Sequence, residues 1–326
     1  MTSASSGDTG GTPGSAFDAG DAATHLRARA TESGGQKRDL TYPPLPSALT
    51  VPVYDNHTHL EIQDGEGLDY REHLDRASSV GVRGVVQVGN DLETSRWSAS
   101  IAAREPRVLA AVAIHPNEAP KYAARGMLDE ALAEIDELAG RPRVRAVGET
   151  GLDWSRIAEG SDGDAARQAQ HASFEAHIGI AKKHGLALQI HDRDAHDDVV
   201  ETLLRVGAPE RTVFHCFSGG PELAAICAEH GWFMSFAGVV TFKNAEPLRA
   251  ALRAAPRELI MVETDAPFLT PAPFRGRPNA PYLIPLTLRS MAETLEMDVS
   301  MLAARITSTT ELVYGTWESE PVVIEA

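Results

Sequence analysis

Disulfides are the first thing this chain lacks. It carries two cysteines, Cys216 and Cys227, in 326 residues, too few to staple a scaffold. Reduced thiols and a cytoplasmic location are the simplest expectation. A long apolar run is missing too, since none reaches the roughly 18 residues that a transmembrane helix needs. Nor does the N-terminus pair a basic start with an apolar stretch, so no secretory signal is expected. Basic residues are outnumbered, 30 Lys and Arg against 46 Asp and Glu, for a net charge of -16. Residues 1–45 hold five acids and four bases and contribute -1, which leaves -15 on the rest. Such a surface argues against broad electrostatic capture of nucleic acid. It leaves room for a local site where bound metal ions supply the positive charge.

What is present suffices for one large core, with 43% hydrophobic residues. The length fits two average domains, or one α/β barrel of roughly 250 residues with a tail. Residues 1–45 are Gly, Ser, Thr and Ala with scattered charges and almost no large apolar side chains. A stretch that buries so little cannot offset its ordering entropy, so a disordered N-terminal tail is expected there, with residues 46–326 as the folded domain.

From there the pattern alternates. Short runs rich in Val, Ile, Leu and Ala occur near 51–57, 84–89, 108–114, 144–149, 187–191, 211–216, 232–240 and 259–264. Near-continuous apolar character suits strands covered on both faces. Helical periodicity lies between most of them. Leu128, Leu132, Ile135 and Leu138 share one face, with Gly140 and Pro142 as the stop. Phe174, Ile178 and Ala181 do the same within 167–184, and Pro221 suits a helix first turn. Eight strands alternating with helices predict a (β/α)₈ TIM barrel, with an open doubly wound sheet as the alternative. The barrel is preferred because polar motifs end nearly every strand, and a barrel gathers such ends on one face.

Those motifs carry the chemistry. Side chains two apart on a strand point the same way, so His57 and His59 at the end of the first run can grip one ion. Taken alone the pair says little. It is joined by His115 after the third run, Glu149 and Asp153 at the fourth, His191, Asp192 and Arg193 at the fifth, His215 at the sixth, and Glu263 and Asp265 at the eighth. Imidazoles and carboxylates are the usual ligands of divalent ions. Several buried carboxylates without a cation would be costly.

The ordered motifs HTHL (57–60), AIHP (113–116), GETGLDW (148–154), IHDRDA (190–195), FHCFSGG (214–220), VETDAP (262–267) and GRPNAP (276–281) resemble those of the TatD-type metal-dependent deoxyribonucleases. These are a branch of the amidohydrolase-like TIM barrels. The resemblance spans roughly residues 51–318. It implies a first metal held by His57, His59 and Asp265, a second by His191 and His215, and Glu149 bridging the two. It further implies catalysis by Asp265 and Glu149, with substrate contacts from His115 and Arg193, and Glu263 orienting a ligand histidine. Two divalent ions, Mg²⁺, Mn²⁺ or Zn²⁺, would be the cofactors, and single-stranded DNA, or RNA, the substrate cleaved from its 3′ end. Two departures are visible. Thr309 stands where the family usually has Asn, with only local repacking expected, and Glu61 stands where Asp is common.

Two other readings stay open on the same residues. One is an ester or amide hydrolase on this scaffold, such as an aminoacyl-tRNA deacylase; the other is a binding module without activity. Several residues draw bland readings. His171, His177 and His184 are expected to pack or face solvent on a helix away from the strand ends. Cys216 is expected as a buried strand thiol. Trp154, Tyr282 and Phe268 are given packing roles, and Arg275 and Arg277 are read as loop charges.

Overall fold

Eight parallel strands carry the fold: β1 (Val53–Thr58), β2 (Val82–Val88), β3 (Val108–Val112), β4 (Val144–Asp153), β5 (Ala187–Arg193), β6 (Thr212–Phe214), β7 (Phe233–Phe236) and β8 (Ile260–Val262). They come from a computed structural model that describes residues 25–317, apart from 34, 66, 158 and 159. Each strand pairs with the next in chain order. The two edges then meet, because the Asp265 N–H donates to the His57 carbonyl at 3.0 Å and the His59 N–H to the Ala266 carbonyl at 2.8 Å. A nearly closed barrel results, and every expected strand belongs to it. Two boundaries differ most from the sequence reading. β4 runs on to Asp153, while β7 stops at Phe236 and Val239 and Val240 join a short 3₁₀ turn, Gly238–Thr241. Gly238 lies so close to the next loop that a Cβ there would meet the Leu269 carbonyl at 2.1 Å, so the turn needs a glycine at that position.

Among the described residues ten helices pack outside: α1 (Tyr70–Ser79), α2 (Leu92–Ala102), α3 (Ala119–Ala124), α4 (Leu128–Ala139), α5 (Ser161–His184), α6 (His196–Val206), α7 (Pro221–His230), α8 (Glu246–Ala254), α9 (Ile284–Thr294) and α10 (Val299–Tyr314). Their ends follow local chemistry. Asp69 caps α1 by accepting from two backbone N–H groups while Glu72 reaches back, a reciprocal capping box. The left-handed Gly185 ends α5, and Pro221 occupies the first turn of α7. Among the described residues no helix is long and apolar enough to cross a membrane.

Two apolar layers result. The larger lies between strands and helices. The smaller includes Tyr54, Val86, Leu109, Ala146, Ala187, Val213, Phe233 and Met261, one from each strand, and residues from all eight strands can meet only on the barrel axis. Trp317 closes this lumen, stacked on Tyr54 with ring centroids 4.1 Å apart. Its indole N–H donates to the Val85 carbonyl at 3.2 Å.

The expected tail needs correction in its second half. Residues 1–24 lie outside the described residues, but residues 25–45 are laid against the barrel. Arg27–Ala28 pairs in parallel with Ile62–Gln63, and Glu32–Ser33 forms a small antiparallel pair with Gln36–Lys37. Arg38 makes a two-pronged bond to Asp64 at 2.8 and 2.7 Å, and Tyr42 donates to the Asp64 carbonyl at 2.5 Å. The sequence reading weighed this segment by its apolar content, whereas arginine–carboxylate and backbone bonds are what hold it.

Candidate metal centre

All six residues of β1 are buried, so its polar side chains must find partners. The Asp55 carboxylate accepts from the Thr264 N–H at 2.9 Å and from the Thr264 hydroxyl, tying β1 to the segment after β8. Burial, partly offset by those Thr264 bonds, pushes the Asp55 carboxyl up to about 8. One residue on, Asp265 adopts φ 53°, a left-handed conformation unusual outside glycine. The barrel closure therefore brings Asp265 beside His57 and His59.

Four side-chain atoms converge there. His57 Nε2 lies 3.3 Å from His59 Nε2, 3.6 Å from Glu149 Oε2 and 3.9 Å from Asp265 Oδ1. His59 Nε2 lies 3.8 Å from Glu149 Oε2 and 3.5 Å from Asp265 Oδ1. Donor atoms about 2.0–2.2 Å from a tetrahedral ion are spaced roughly 3.3–3.6 Å apart; the separations here run from 3.3 to 3.9 Å, and His57, His59 and Glu149 form a group able to hold an ion. The other Glu149 oxygen faces a second group. Its Oε1 is 2.6 Å from His191 Nδ1, 3.0 Å from His215 Nε2 and 3.4 Å from His115 Nε2. One carboxylate thus turns its two oxygens to two separate sets of imidazoles. Gly151 lets β4 approach closely enough for this, since a Cβ there would meet the His191 carbonyl at 2.1 Å.

The far nitrogens of three histidines are held in place. His59 Nδ1 donates to the Val88 carbonyl at 3.1 Å, and His215 Nδ1 to Glu263 at 2.9 Å. His191 Nε2 lies 3.2 Å from Asp153 Oδ2. Such outer bonds fix the tautomer and aim the inner nitrogen. His57 differs, for its Nδ1 is buried with no partner.

The electrostatics of the cluster favour positive charge. Burial acts most strongly on Glu149 and opposes its charge, yet His215 and His115 hold its carboxyl well below the usual range. His215 shows the converse: burial opposes its charge, while Glu263 and Glu149 raise it well above the ordinary value. His59 behaves alike, burial being outweighed by Asp265 and Glu61 to bring it up to about 9. The carboxylates thus demand positive charge, which protons supply when metal does not. Together with the spacing of the donors, this makes the site suited to divalent ions.

The structure brings all eight sequence-predicted site residues to one cavity of about 670 Å³, with His57 at its base and the other seven in its lining. Grouping differs in detail from the expected partition. His57, His59 and Glu149 form one candidate ligand group. However, His215 falls with His57 and Asp265, while His115 joins Glu149 and His191. His115, expected to touch substrate, is thus within ligand reach. Arg193 is exposed on the wall.

Two residues have a part at the site that their sequence pattern did not assign. Asp153 bonds His191 and accepts from Asn117 Nδ2 at 2.8 Å; its place two steps of two beyond Glu149 was the available signal. His177 packs rather than facing solvent, buried in α5 behind the site. The Ile114 N–H donates to its Nε2 at 3.1 Å, so Nδ1 carries the proton and donates to Thr150 Oγ1 at 2.9 Å. It therefore braces the chain next to both His115 and Glu149. Cys216 is half-buried on the cavity wall, not deep in a strand, and burial pushes its thiol well up. Tyr282 packs as expected, fully buried with its hydroxyl on the Pro43 carbonyl at 2.6 Å. Arg277 is no solvated charge, for it bonds the Thr41 and Tyr42 carbonyls, each at 2.8 Å. Thr309 donates its hydroxyl to the Glu258 carbonyl at 3.2 Å, 51 residues away.

A barrel whose strand ends gather imidazoles around shared carboxylates has the architecture of a metal-dependent hydrolase. Residues 54–315 match the family described as TatD related DNase, and the chain belongs to that family. It is 42% identical over 267 residues to an uncharacterized metal-dependent hydrolase, TatD, of Mycobacterium tuberculosis, a match covering 81% of this chain and 98% of the relative. It is 30% identical over 254 residues to a 3'-5' ssDNA/RNA exonuclease TatD of Escherichia fergusonii, covering 76% of this chain and 93% of the relative. Among solved structures, the fold resembles YJJV, a TatD homolog from Escherichia coli K12, with a TM-score of 0.72 at 24% identity over 81% of this chain and 98% of that one.

Proposed function

We propose that this hydrolase cleaves phosphodiester bonds of single-stranded nucleic acid, DNA foremost, from the 3′ end, using two divalent ions. The observation that carries the reading is Glu149, whose two oxygens face His57 and His59 on one side and His191, His215 and His115 on the other. The ligands in this reading are His57, His59 and Asp265 for one ion and His191 and His215 for the other, with Glu149 between them. His115 either completes the second set or contacts the phosphate. Bound divalent ions, Mg²⁺, Mn²⁺ or Zn²⁺, supply Lewis acidity and the positive charge that phosphoryl oxygens require.

The protein's own groups do the rest. Asp265 Oδ1 stands at the edge of the cluster, placed to orient an attacking water and take its proton. Arg193 offers the planar fork that matches a phosphate. Asp153 and Glu263 hold His191 and His215 in orientation. The acidic net charge of -16 is compatible with a polyanionic substrate because the ions, not the surface, provide the attraction. The printed activity of the Escherichia fergusonii relative supports the choice of nucleic acid and of the 3′ end.

The test incubates metal-loaded protein with single-stranded DNA, RNA and an aminoacyl-tRNA, and repeats the assay with Glu149→Ala. The reading expects release of mononucleotides from the 3′ end of DNA, and a loss of about 10³-fold or more in the folded variant. Deacylation without phosphodiester cleavage would replace it with the ester-hydrolase reading. A Glu149→Ala protein with undiminished cleavage would remove Glu149 from the centre.

A further inference from the structure

The segment before the barrel does more than cover it. Arg27 lies outside residues 54–315, the stretch that matches the family, yet it lines the same cavity as His59, Glu149 and Asp265. It is held there by backbone and side chain alike. Its N–H donates to the Glu61 carbonyl at 3.2 Å, and Arg27 pairs in register with Ile62, three residues past His59. Its Nη2 donates to the buried Glu61 carboxylate at 2.9 Å. Its neighbour Arg29 clamps the segment from the other side, donating to the Pro267 carbonyl at 2.6 Å and sitting over the Phe268 ring at 4.9 Å. Phe268 lines the cavity as well.

The Glu61 bond uses one of the five N–H donors of Arg27. Its Nε is buried without a partner, and the side chain as a whole is 35% exposed. The other cavity-lining arginines are Arg156 and Arg193, just past β4 and at the end of β5. In an eight-stranded barrel in chain order, β1 faces β5 across the axis. Arg27, seated past the end of β1, therefore stands on the opposite flank of the cluster from Arg156 and Arg193. A strand crossing the mouth meets guanidinium groups on both sides of the site.

We infer that Arg27 is a substrate-binding residue contributed by the N-terminal segment, gripping a phosphate of the nucleic-acid strand one or more nucleotides away from the linkage being cut. This rests on the nucleic-acid reading above and adds a specificity device: strands long enough to reach Arg27 are favoured over a single dinucleotide.

The test compares the full chain with Arg27→Gln and with Arg27→Gln/Glu61→Gln, where an amide pair leaves no bare carboxylate buried. Each metal-loaded protein is assayed on a dinucleotide and on a tetranucleotide of single-stranded DNA, at about 50 and about 200 mM salt. The full chain should show a lower KM for the tetranucleotide. Both variants should lose about tenfold of that advantage, with the salt slope reduced by about 1, the signature of one phosphate contact. An unchanged length advantage and salt slope in the double variant would overturn the assignment. If the full chain cleaves neither DNA, the nucleic-acid reading has failed instead. The anion site is then read by calorimetric titration with inorganic phosphate, where about tenfold weaker binding in Arg27→Gln upholds it and equal binding overturns it.

Discussion

Replacing His177 by leucine isolates a structural debt from catalysis. The imidazole is fully buried, accepts from the Ile114 N–H at 3.1 Å and donates to Thr150 Oγ1 at 2.9 Å. Leucine fills similar space and does neither. A buried N–H left without an acceptor costs about 1–3 kcal/mol, and the lost Thr150 bond adds about 1. The variant should therefore be about 2–4 kcal/mol less stable at pH 7, measured by urea unfolding of the metal-free protein. A second arm uses acid. Burial lowers the His177 imidazole from its ordinary value to about 4. The unfolded chain thus binds a proton that the folded one refuses between about pH 6.5 and 4, so this stability is complete above that window and is lost as pH falls through it. At about 1.4 kcal/mol per unit, the native protein loses about 2.5 kcal/mol through this group between pH 7 and about pH 4.5, and the leucine variant loses none of it. The gap between the two proteins should then shrink to within about 1.5 kcal/mol. Other titrating groups act on both proteins alike and cancel in the difference. A gap that stays constant across that range would refute the neutral, double-bonded imidazole.

Two further outcomes follow from the centre itself. Glu263→Gln weakens the acceptor on His215 Nδ1, so metal affinity or turnover should fall about 10–100-fold with the fold intact, read by metal titration and circular dichroism. Removing metal with a chelator should abolish hydrolysis and lower the melting temperature, with both restored by added divalent ion, activity saturating and stability rising with the logarithm of its free concentration. Chelator-resistant turnover would contradict the assignment.

What could be read from sequence, and what could not, divides by the range of the interaction. The strands were legible because covered strands are apolar throughout, and the ligands because each interrupts such a run at its end. His57 and His59 needed only the two-residue period of a strand. Asp153 was quoted in its motif without a role, since its work depends on the register of β4 beside β5. His177 went unread because helical spacing says which face it lies on, not that Ile114, 63 residues away, donates to it. Arg27 sits in a segment whose composition reads as disordered, and only contacts such as Arg29 with Pro267, 238 residues on, reveal where it lies.

Barrel closure has a consequence for how the chain is made. Asp55 is completed by Thr264, 209 residues later, and Val85 by Trp317, 232 residues later. During synthesis β1 therefore waits with its histidines uncovered until β8 has left the ribosome, and the lumen waits longer, for α10 and Trp317. Bonds that span so much sequence form slowly. The candidate metal site, which draws residues from the first strand and from the segment after the last, is complete only when that late closure is done.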